Sequence, residues 1–222
     1  MPKRPVTPET IFDLQFVDAV APSPDGAWAV YTIKTIDREK DDYQSHLWIT
    51  PTQGGAPRRL TQGEHKNFGA IWSPDGRWIA FVSTRRDKRP QIYRLPLNGG
   101  EAERLTDLDG DPSSLAWSPD GKSILFNFRA SDPPEQGHLP GSVPEKKAKT
   151  DGKDETKKDD DKKKKEFGGD LVVRDLRDGA ERTFADVTDF TVTKDGAVVV
   201  YTVSSKKEEM NGVYALRLDR PG

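Results

Sequence analysis

Three histidines, His46, His65 and His138, are the only imidazole bases in the sequence, and each could in principle activate a hydrolytic nucleophile. A serine nucleophile in an α/β-hydrolase sits in a Gly-x-Ser-x-Gly turn between a strand and a helix, and this sequence has no such motif. It also has no cysteine, which excludes a thiol nucleophile, a thiolate zinc site and a disulfide scaffold. We therefore predict no catalytic residue in this chain and expect the histidines to be exposed in loops.

A glycine-lysine-serine sequence matches the last three positions of a phosphate-binding loop. Gly121-Lys122-Ser123 has this pattern, but Ala116 stands where the motif requires its first glycine. The flanking residues also predict a hairpin, whereas a phosphate loop joins a strand to a helix. We predict no nucleotide cofactor at this place.

Three alternating aspartates could supply oxygen ligands to calcium. Asp107, Asp109 and Asp111 have the alternation of a twelve-residue calcium loop. Counted from Asp107, however, Ser118 replaces the final glutamate and Pro112 replaces the central glycine. The segment is better interpreted as a polar loop between strands, and we predict no metal site.

Two other groups of residues could bind a ligand but are better explained by structure. The acidic pair Glu208-Glu209 could hold a substrate amine, yet residues 204–212 have the composition of a hairpin loop. Five tryptophans could stack on a ligand, but they stand at predicted strand positions, which favours packing in a core: Trp28, Trp48, Trp72, Trp78 and Trp117. The sequence thus predicts no catalytic, cofactor-binding or metal-binding residue.

The composition limits the possible partners and the cellular location. The 222 residues include 35 Lys and Arg and 37 Asp and Glu, which gives a net charge of -2. A nearly neutral chain has no electrostatic basis for binding nucleic acid or an anionic membrane. Because no apolar run reaches the length of a signal peptide or a membrane span, we expect a cytoplasmic protein.

A repeated turn organises the rest of the sequence. Ser-Pro-Asp-Gly occurs at 23–26, 73–76 and 118–121, and Thr-Lys-Asp-Gly at 193–196, with spacings of 50, 45 and 75 residues. Serine, proline, aspartate and glycine in this order suit a hairpin turn, so the aspartates Asp25, Asp75 and Asp120 are interpreted as turn residues and not as catalytic groups.

Each turn is followed by strand-like segments, which together predict the fold. In the second unit they are 78–82, 91–95 and 103–106, and related segments recur in the other units. About four strands in each unit of roughly 45 residues is typical of a β-propeller blade. We predict an all-β propeller of about four blades, the last one incomplete, as part of a seven- or eight-bladed ring.

Two segments do not follow the repeat. Residues 1–18 are predicted as an N-terminal helical segment, with Thr7 as N-cap and Pro8 in the first turn, preceding a partial propeller over 19–222. Residues 131–169 are predicted as a disordered insertion in the third blade, because positions 145–166 hold ten lysines and eight acidic residues. The lysine run 162–165 could instead contact an anion or a partner.

The repeats resemble those of two groups of propellers. The Trp-Ser-Pro-Asp-Gly turns and the phrase Gly-Gly-Glu-Ala-Glu-Arg-Leu-Thr at 99–106 are similar to TolB-like propellers and to the N-terminal propeller of the prolyl oligopeptidase family of serine peptidases, which includes acylaminoacyl and dipeptidyl peptidases. The opening at 6–14, which leads into the first turn, resembles the peptidase type. This resemblance implies an α/β-hydrolase domain beyond Gly222 that carries the catalytic triad, and a propeller that admits only short or unstructured peptides.

The end of the sequence falls after the third strand of the fourth unit. We therefore expect a fragment whose open blade edges favour self-association or contact with the missing hydrolase domain. Two alternatives stay open, namely a self-contained TolB-like scaffold that binds a protein or peptide and a closed four-bladed propeller with a small ligand at its axis.

Overall fold

A computed structural model describes residues 7–86, 89–130 and 167–218. These residues form three antiparallel sheets, preceded by a 3₁₀ helix over Pro8–Asp13. The first sheet contains β1 (Gln15–Pro22), β2 (Trp28–Asp37), β3 (Asp42–Pro51) and β4 (Arg58–Arg59). The second contains β5 (Asn67–Trp72), β6 (Trp78–Ser83), β7 (Gln91–Pro96) and β8 (Glu103–Arg104).

The third sheet has six strands in chain order. They are β9 (Gly110–Trp117), β10 (Ser123–Ala130), β11 (Gly169–Asp175), β12 (Glu181–Val192), β13 (Val198–Val203) and β14 (Gly212–Arg217). A second 3₁₀ helix, Glu208–Met210, lies between β13 and β14. The prediction of a β-propeller built from units of four antiparallel strands is confirmed.

The repeated turns close through one set of hydrogen bonds, which residues 73–78 illustrate. The Ser73 hydroxyl donates to Asp75 Oδ1 (2.6 Å) and accepts the backbone N–H of Trp78 (2.9 Å). Gly76 has a φ of +69° and donates its N–H to the Ser73 carbonyl (2.9 Å). The turns at 23–28, 118–123 and 193–198 repeat these bonds. The same residues therefore recur because each is needed to start the second strand of a unit.

A second repeated phrase, Arg-Leu-Thr, ends the outer strand of the first two sheets. Thr61 Oγ1 accepts the backbone N–H of Leu47 (2.9 Å), and Thr106 Oγ1 accepts that of Ile92 (2.9 Å). In each case the threonine hydroxyl takes a strand N–H that a continuing β-ladder would bond to a carbonyl. The outer strands consequently stop there, and β4 and β8 are short.

The third unit lacks this terminating threonine, and its outer strand continues. In the pairing register Phe184 faces Leu171, as Leu60 faces Leu47 in the first sheet, so Ala185 occupies the place of Thr61. Strand β12 then passes a bulge, with Asp186 at a φ of +58°, and pairs with β13. The third and fourth units thus share one six-stranded sheet, which the sequence repeats did not predict.

Apolar side chains fill the spaces between successive units. One cluster joins the first and second sheets around Ile49 and Phe81, and another joins the second and third sheets around Ile92 and Phe126. A third lies between the two halves of the six-stranded sheet around Leu171. The packing interpretation of the tryptophans is confirmed for Trp72 and Trp117, which are buried in the first two clusters.

The N-terminal segment differs from its prediction. The 3₁₀ helix lies against β2, where the Arg38 guanidinium stands 5.1 Å from the centre of the Phe12 ring. Strand β1 begins at Gln15, so residues 15–18 belong to the first sheet and not to a helical segment over 1–18. Pairing with β2 explains this, since residues 15–18 and 21–22 join its antiparallel ladder on either side of a bulge.

The insertion predicted over 131–169 lies mostly outside the described residues. Strands β10 and β11, which precede and follow it, pair directly, with Phe128 opposite Asp170. Gly169 is already part of β11, so the third strand of the unit begins within the predicted insertion. Within residues 7–86, 89–130 and 167–218, no helix is long and apolar enough to cross a membrane.

Candidate functional site

His46 departs from the expectation for the histidines. It lies in β3 with 8% of its surface exposed, and Arg59 Nη2 donates to its Nε2 (2.8 Å). Its Nδ1 is buried without a hydrogen-bond partner among the described residues. Burial, assisted by the charges of Arg59 and His65, lowers the pKa of His46 to about 4. The expectation of an exposed loop residue is therefore wrong for His46, whose imidazole is a neutral, buried part of the sheet.

His65 is half-buried in the loop between β4 and β5, and His138 lies outside the described residues.

The aspartates of the calcium-like pattern spread apart in the structure. Asp107 forms an ion pair with Arg104, and Asp109 forms one with Arg89. Asp111 lies in β9 opposite Arg129. In the part of the chain that the structure describes, no three acidic or histidine side chains gather in a group that could hold a metal ion.

The phosphate-loop-like residues and the acidic pair lie in hairpins, as predicted. Gly121-Lys122-Ser123 closes the third repeated turn, with Lys122 Nζ 3.6 Å from Asp120 Oδ2. Glu208 and Glu209 lie in the short 3₁₀ helix between β13 and β14, where both are exposed.

The turn aspartates have lowered pKa values because of their local bonds. The Ser73 hydroxyl is the largest influence and lowers the pKa of Asp75; burial opposes it, and the N–H and guanidinium of Arg77 lower the pKa further. Hydrogen bonds from Ser23 and from the N–H of Ala27 act in the same way on Asp25. These carboxylates are therefore ionised acceptors within turns.

A buried polar cluster between the first and second sheets has no counterpart among the predicted sites. The backbone N–H of Asn67 donates to Ser45 Oγ (2.9 Å), and its side-chain Nδ2 donates to the Ser45 carbonyl (2.9 Å). The Ser83 hydroxyl donates to Asn67 Oδ1 (2.8 Å). All three residues are buried, so the cluster links β3 of one unit to β5 and β6 of the next.

Arg85 extends this cluster and carries its only charge. Its Nε donates to Ser83 Oγ (3.1 Å), and its Nη2 donates to Asn67 Oδ1 (3.3 Å). The guanidinium carbon stands 4.6 Å from the ring centre of Tyr93 and 5.1 Å from that of Phe81. Burial lowers the pKa of Arg85, and the Tyr93 hydroxyl acts in the opposite direction. The guanidinium charge of Arg85 thus lies in a partly desolvated environment next to two aromatic rings.

An open cavity of about 710 Å³ adjoins the guanidinium between the first and second sheets. Arg85 and Tyr93 line it, and the Tyr93 hydroxyl is buried without a hydrogen-bond partner among the described residues. Arg86 and Arg104 also line this cavity, Arg104 paired with Asp107, and Glu101 is the one acidic residue among the described lining. The cavity therefore has an excess of positive charge.

Sequence analysis missed this cluster because none of its residues belongs to a known motif. The signal that could have revealed it is a departure from the repeat. Asn67 and Ser83 face each other across β5 and β6, and the equivalent pairs are Val17 with Ile33 and Pro112 with Phe128. Polar residues thus replace apolar ones in one unit only. The cluster contains hydroxyl, amide and guanidinium groups but no imidazole base, so it is suited to binding and not to covalent catalysis.

Comparison with known proteins places these observations in a family. The profile described as the Tricorn protease N-terminal beta propeller domain matches residues 42–209. The chain is 36% identical over 91 residues to the uncharacterized peptidase YuxL of Bacillus subtilis, which covers 41% of this chain and 14% of that protein. It is 32% identical over 78 residues to dipeptidyl-peptidase 5 of Porphyromonas gingivalis, or 35% of this chain and 11% of that protein.

A solved structure shows the same fold. Acylaminoacyl peptidase of Pyrococcus horikoshii superposes with a TM-score of 0.64 at 16% identity, over 95% of this chain and 32% of that one. The resemblance to peptidase propellers inferred from the repeated turns is confirmed. Each match covers less than two thirds of the other protein's length. By the match over most of its length, the chain belongs to the family of Tricorn protease N-terminal beta propeller domains.

Proposed function

We propose that this chain is the propeller part of a prolyl-oligopeptidase-type serine peptidase and that it limits peptide access to a hydrolase domain elsewhere in the same polypeptide. The observation that carries the proposal is the family match over residues 42–209 together with two relatives that are named as peptidases. The matched segments cover 14% and 11% of those relatives, which leaves ample length there for a catalytic domain.

The chemistry of the chain supports a division of labour. The sequence has no Gly-x-Ser-x-Gly elbow and no cysteine, and His46 is buried and neutral beside Arg59. The nucleophile, its base and the oxyanion donors would therefore come from the hydrolase domain. The propeller would contribute selection by size, because a rigid ring of packed sheets excludes folded proteins and admits extended peptides.

Labelling of the whole gene product tests the proposal. The polypeptide that contains this sequence is purified, treated with a serine-reactive fluorophosphonate and digested, and the labelled peptide is identified by mass spectrometry. We expect one labelled serine outside residues 1–222 and no label on the 222-residue chain treated alone. A labelled serine within this chain, or a whole gene product without any labelled serine, would contradict the proposal, and the second result would favour a binding scaffold.

Size selection is measured on the same preparation. A short peptide should be cleaved, and the same sequence placed in a surface loop of a folded protein should resist cleavage while a non-selective protease cuts both. Equal rates of cleavage of the two substrates would contradict the gating role.

A further inference from the structure

Arg85 differs from three other half-buried arginines of the described residues. Arg94, Arg104 and Arg174 each form an ion pair with a carboxylate, provided by Glu103, Asp107 and Glu181 respectively. Arg85 contacts only neutral groups among the described residues, namely the Ser83 hydroxyl, the Asn67 carbonyl oxygen and two aromatic rings. A partly desolvated cation without a counter-ion is unfavourable unless another anion joins it.

The donors of Arg85 are only partly used. A guanidinium has five N–H groups in a planar fork, and two hydrogen bonds account for Nε and one N–H of Nη2. The N–H groups of Nη1 have no partner in the described residues. A carboxylate matches such a fork with two parallel hydrogen bonds, which a single point donor such as lysine cannot reproduce.

The surroundings favour an anion that arrives through the cavity of about 710 Å³ between the first and second sheets. Arg86 lines this cavity beside Arg85, whereas Arg104 is already paired with Asp107 and Glu101 is the one acidic residue among the described lining. Leu60 and Leu95 add apolar side chains to this lining. A carboxylate carried on an aliphatic chain can contact both the charged and the apolar side chains, whereas a small inorganic ion would leave the apolar side chains without a partner.

We propose that the Arg85 guanidinium and this cavity form a binding site for a carboxylate of an extended peptide. The assignment of the ligand as a peptide rests on the proposed function, whereas the carboxylate site itself rests on the contacts of Arg85. The carboxylate belongs either to the C-terminus of the peptide or to an acidic side chain, and the two sources are separated by the choice of probes.

Calorimetric titration of the intact 222-residue chain with three short peptides provides the test. The probes are N-acetyl-trialanine with a free C-terminus, the same peptide as its amide, and N-acetyl-Ala-Glu-Ala-amide. We expect the free acid, or the glutamate peptide if a side chain is the source, to bind about tenfold or more tightly than the neutral amide, because bonds between charged partners exceed neutral ones. Equal affinity for all three peptides would overturn the proposal and needs no variant.

Substitutions then locate the site. Arg85→Gln should abolish the preference for the carboxylate, and Arg85→Lys should keep only part of it because the fork is lost. Arg77→Gln is the matched control, since Arg77 is an exposed arginine paired with Asp75 in a turn and should leave the preference unchanged. A preference that persists in a folded Arg85→Gln protein, or that is lost in Arg77→Gln, would overturn the assignment.

The test is independent of peptide cleavage. Binding is measured on this chain alone, whereas the proposed gating is measured by labelling and size selection on the whole gene product. A carboxylate preference without any peptidase activity would leave the site standing and remove its interpretation as a peptide-substrate site. Peptidase activity without a carboxylate preference would leave the proposed gating standing and overturn the carboxylate site.

Discussion

The buried imidazole of His46 should make the stability of this propeller depend on pH in a defined window. Its pKa is lowered from 6.5 to about 4, mainly by burial, so the folded chain keeps the ring neutral while the unfolded chain takes up a proton first. The contribution of neutral His46 to stability is therefore complete above pH 6.5 and is lost progressively as the pH falls from 6.5 to 4. From these two pKa values, the free energy of unfolding should decrease by at most about 2 kcal/mol between pH 7 and pH 5.

The second sheet suggests the substitution that removes this loss. Gln91 occupies the position of His46 in the next unit, where it accepts the N–H of Leu108 and the hydroxyl of Thr106. His46→Gln should therefore keep a strand residue of suitable shape without a group that titrates. Urea unfolding at pH 7 and pH 5 should show a smaller decrease in the free energy of unfolding for His46→Gln than for the unchanged chain.

Two further measurements separate burial from the charge of Arg59 as causes of the lowered pKa of His46. The pKa of His46 is read directly from the pH dependence of its imidazole resonances in NMR spectra. In Arg59→Gln the pKa should rise only in part, because burial is the largest cause and the charge of Arg59 the second. The turn carboxylates do not interfere, since the pKa values of Asp25 and Asp75 are lowered and they titrate below this window. An unchanged pH dependence in a folded His46→Gln chain would refute the reasoning.

Three other substitutions test the repeated structural phrases, each by urea unfolding at pH 7. Ser73→Ala leaves the part-buried N–H of Trp78 without its acceptor and should cost about 1 kcal/mol. The exposed Ser113→Ala in β9 should change little, and equal effects of the two substitutions would contradict the turn assignment. Thr106→Val removes the acceptor of the Ile92 N–H and should cost about 1–3 kcal/mol, so a neutral result would show that the outer strand ends for another reason. Gly76→Ala should cost about 1 kcal/mol because of its φ of +69°. The nearest atom to an added Cβ is 3.8 Å away, so the cost comes from backbone strain and not from a clash. An unchanged urea midpoint would contradict such strain.

The repeated part of the fold was accessible from sequence because each unit uses the same local chemistry. The serine, aspartate and glycine of the turn form bonds within six residues, so their spacing alone determines the hairpin. The Arg-Leu-Thr phrase acts across two neighbouring strands, and its recurrence revealed an outer strand without showing how that strand ends. The third unit illustrates the limit, because Ala185 stands at the place of the threonine and strand β12 continues into the next unit.

The burial of individual polar residues could not be predicted from the sequence in the same way. His46 was expected in an exposed loop because nothing in the residues around it shows that β3 extends over Asp42–Pro51. The position becomes buried only when β2 and β3 pair over their full length, with Ile33 opposite His46. The charge of Arg85 likewise becomes unusual only when the second sheet packs against the first and places its guanidinium over Tyr93.

Comparison of the repeated units indicates which residues of a propeller have a function beyond the fold. A residue that recurs in every unit has a role that every unit shares, as the turn aspartates have, and a role of that kind is structural. A buried polar residue that replaces an apolar one in a single unit gains nothing for the common fold, since the other units fold without it. Asn67 and Ser83 satisfy this second condition and hold the guanidinium of Arg85, whereas Asp75 satisfies the first. A charge-neutralising substitution at Asp75 should therefore lower the stability of the chain. One at Arg85 should instead remove the preference for a carboxylate ligand.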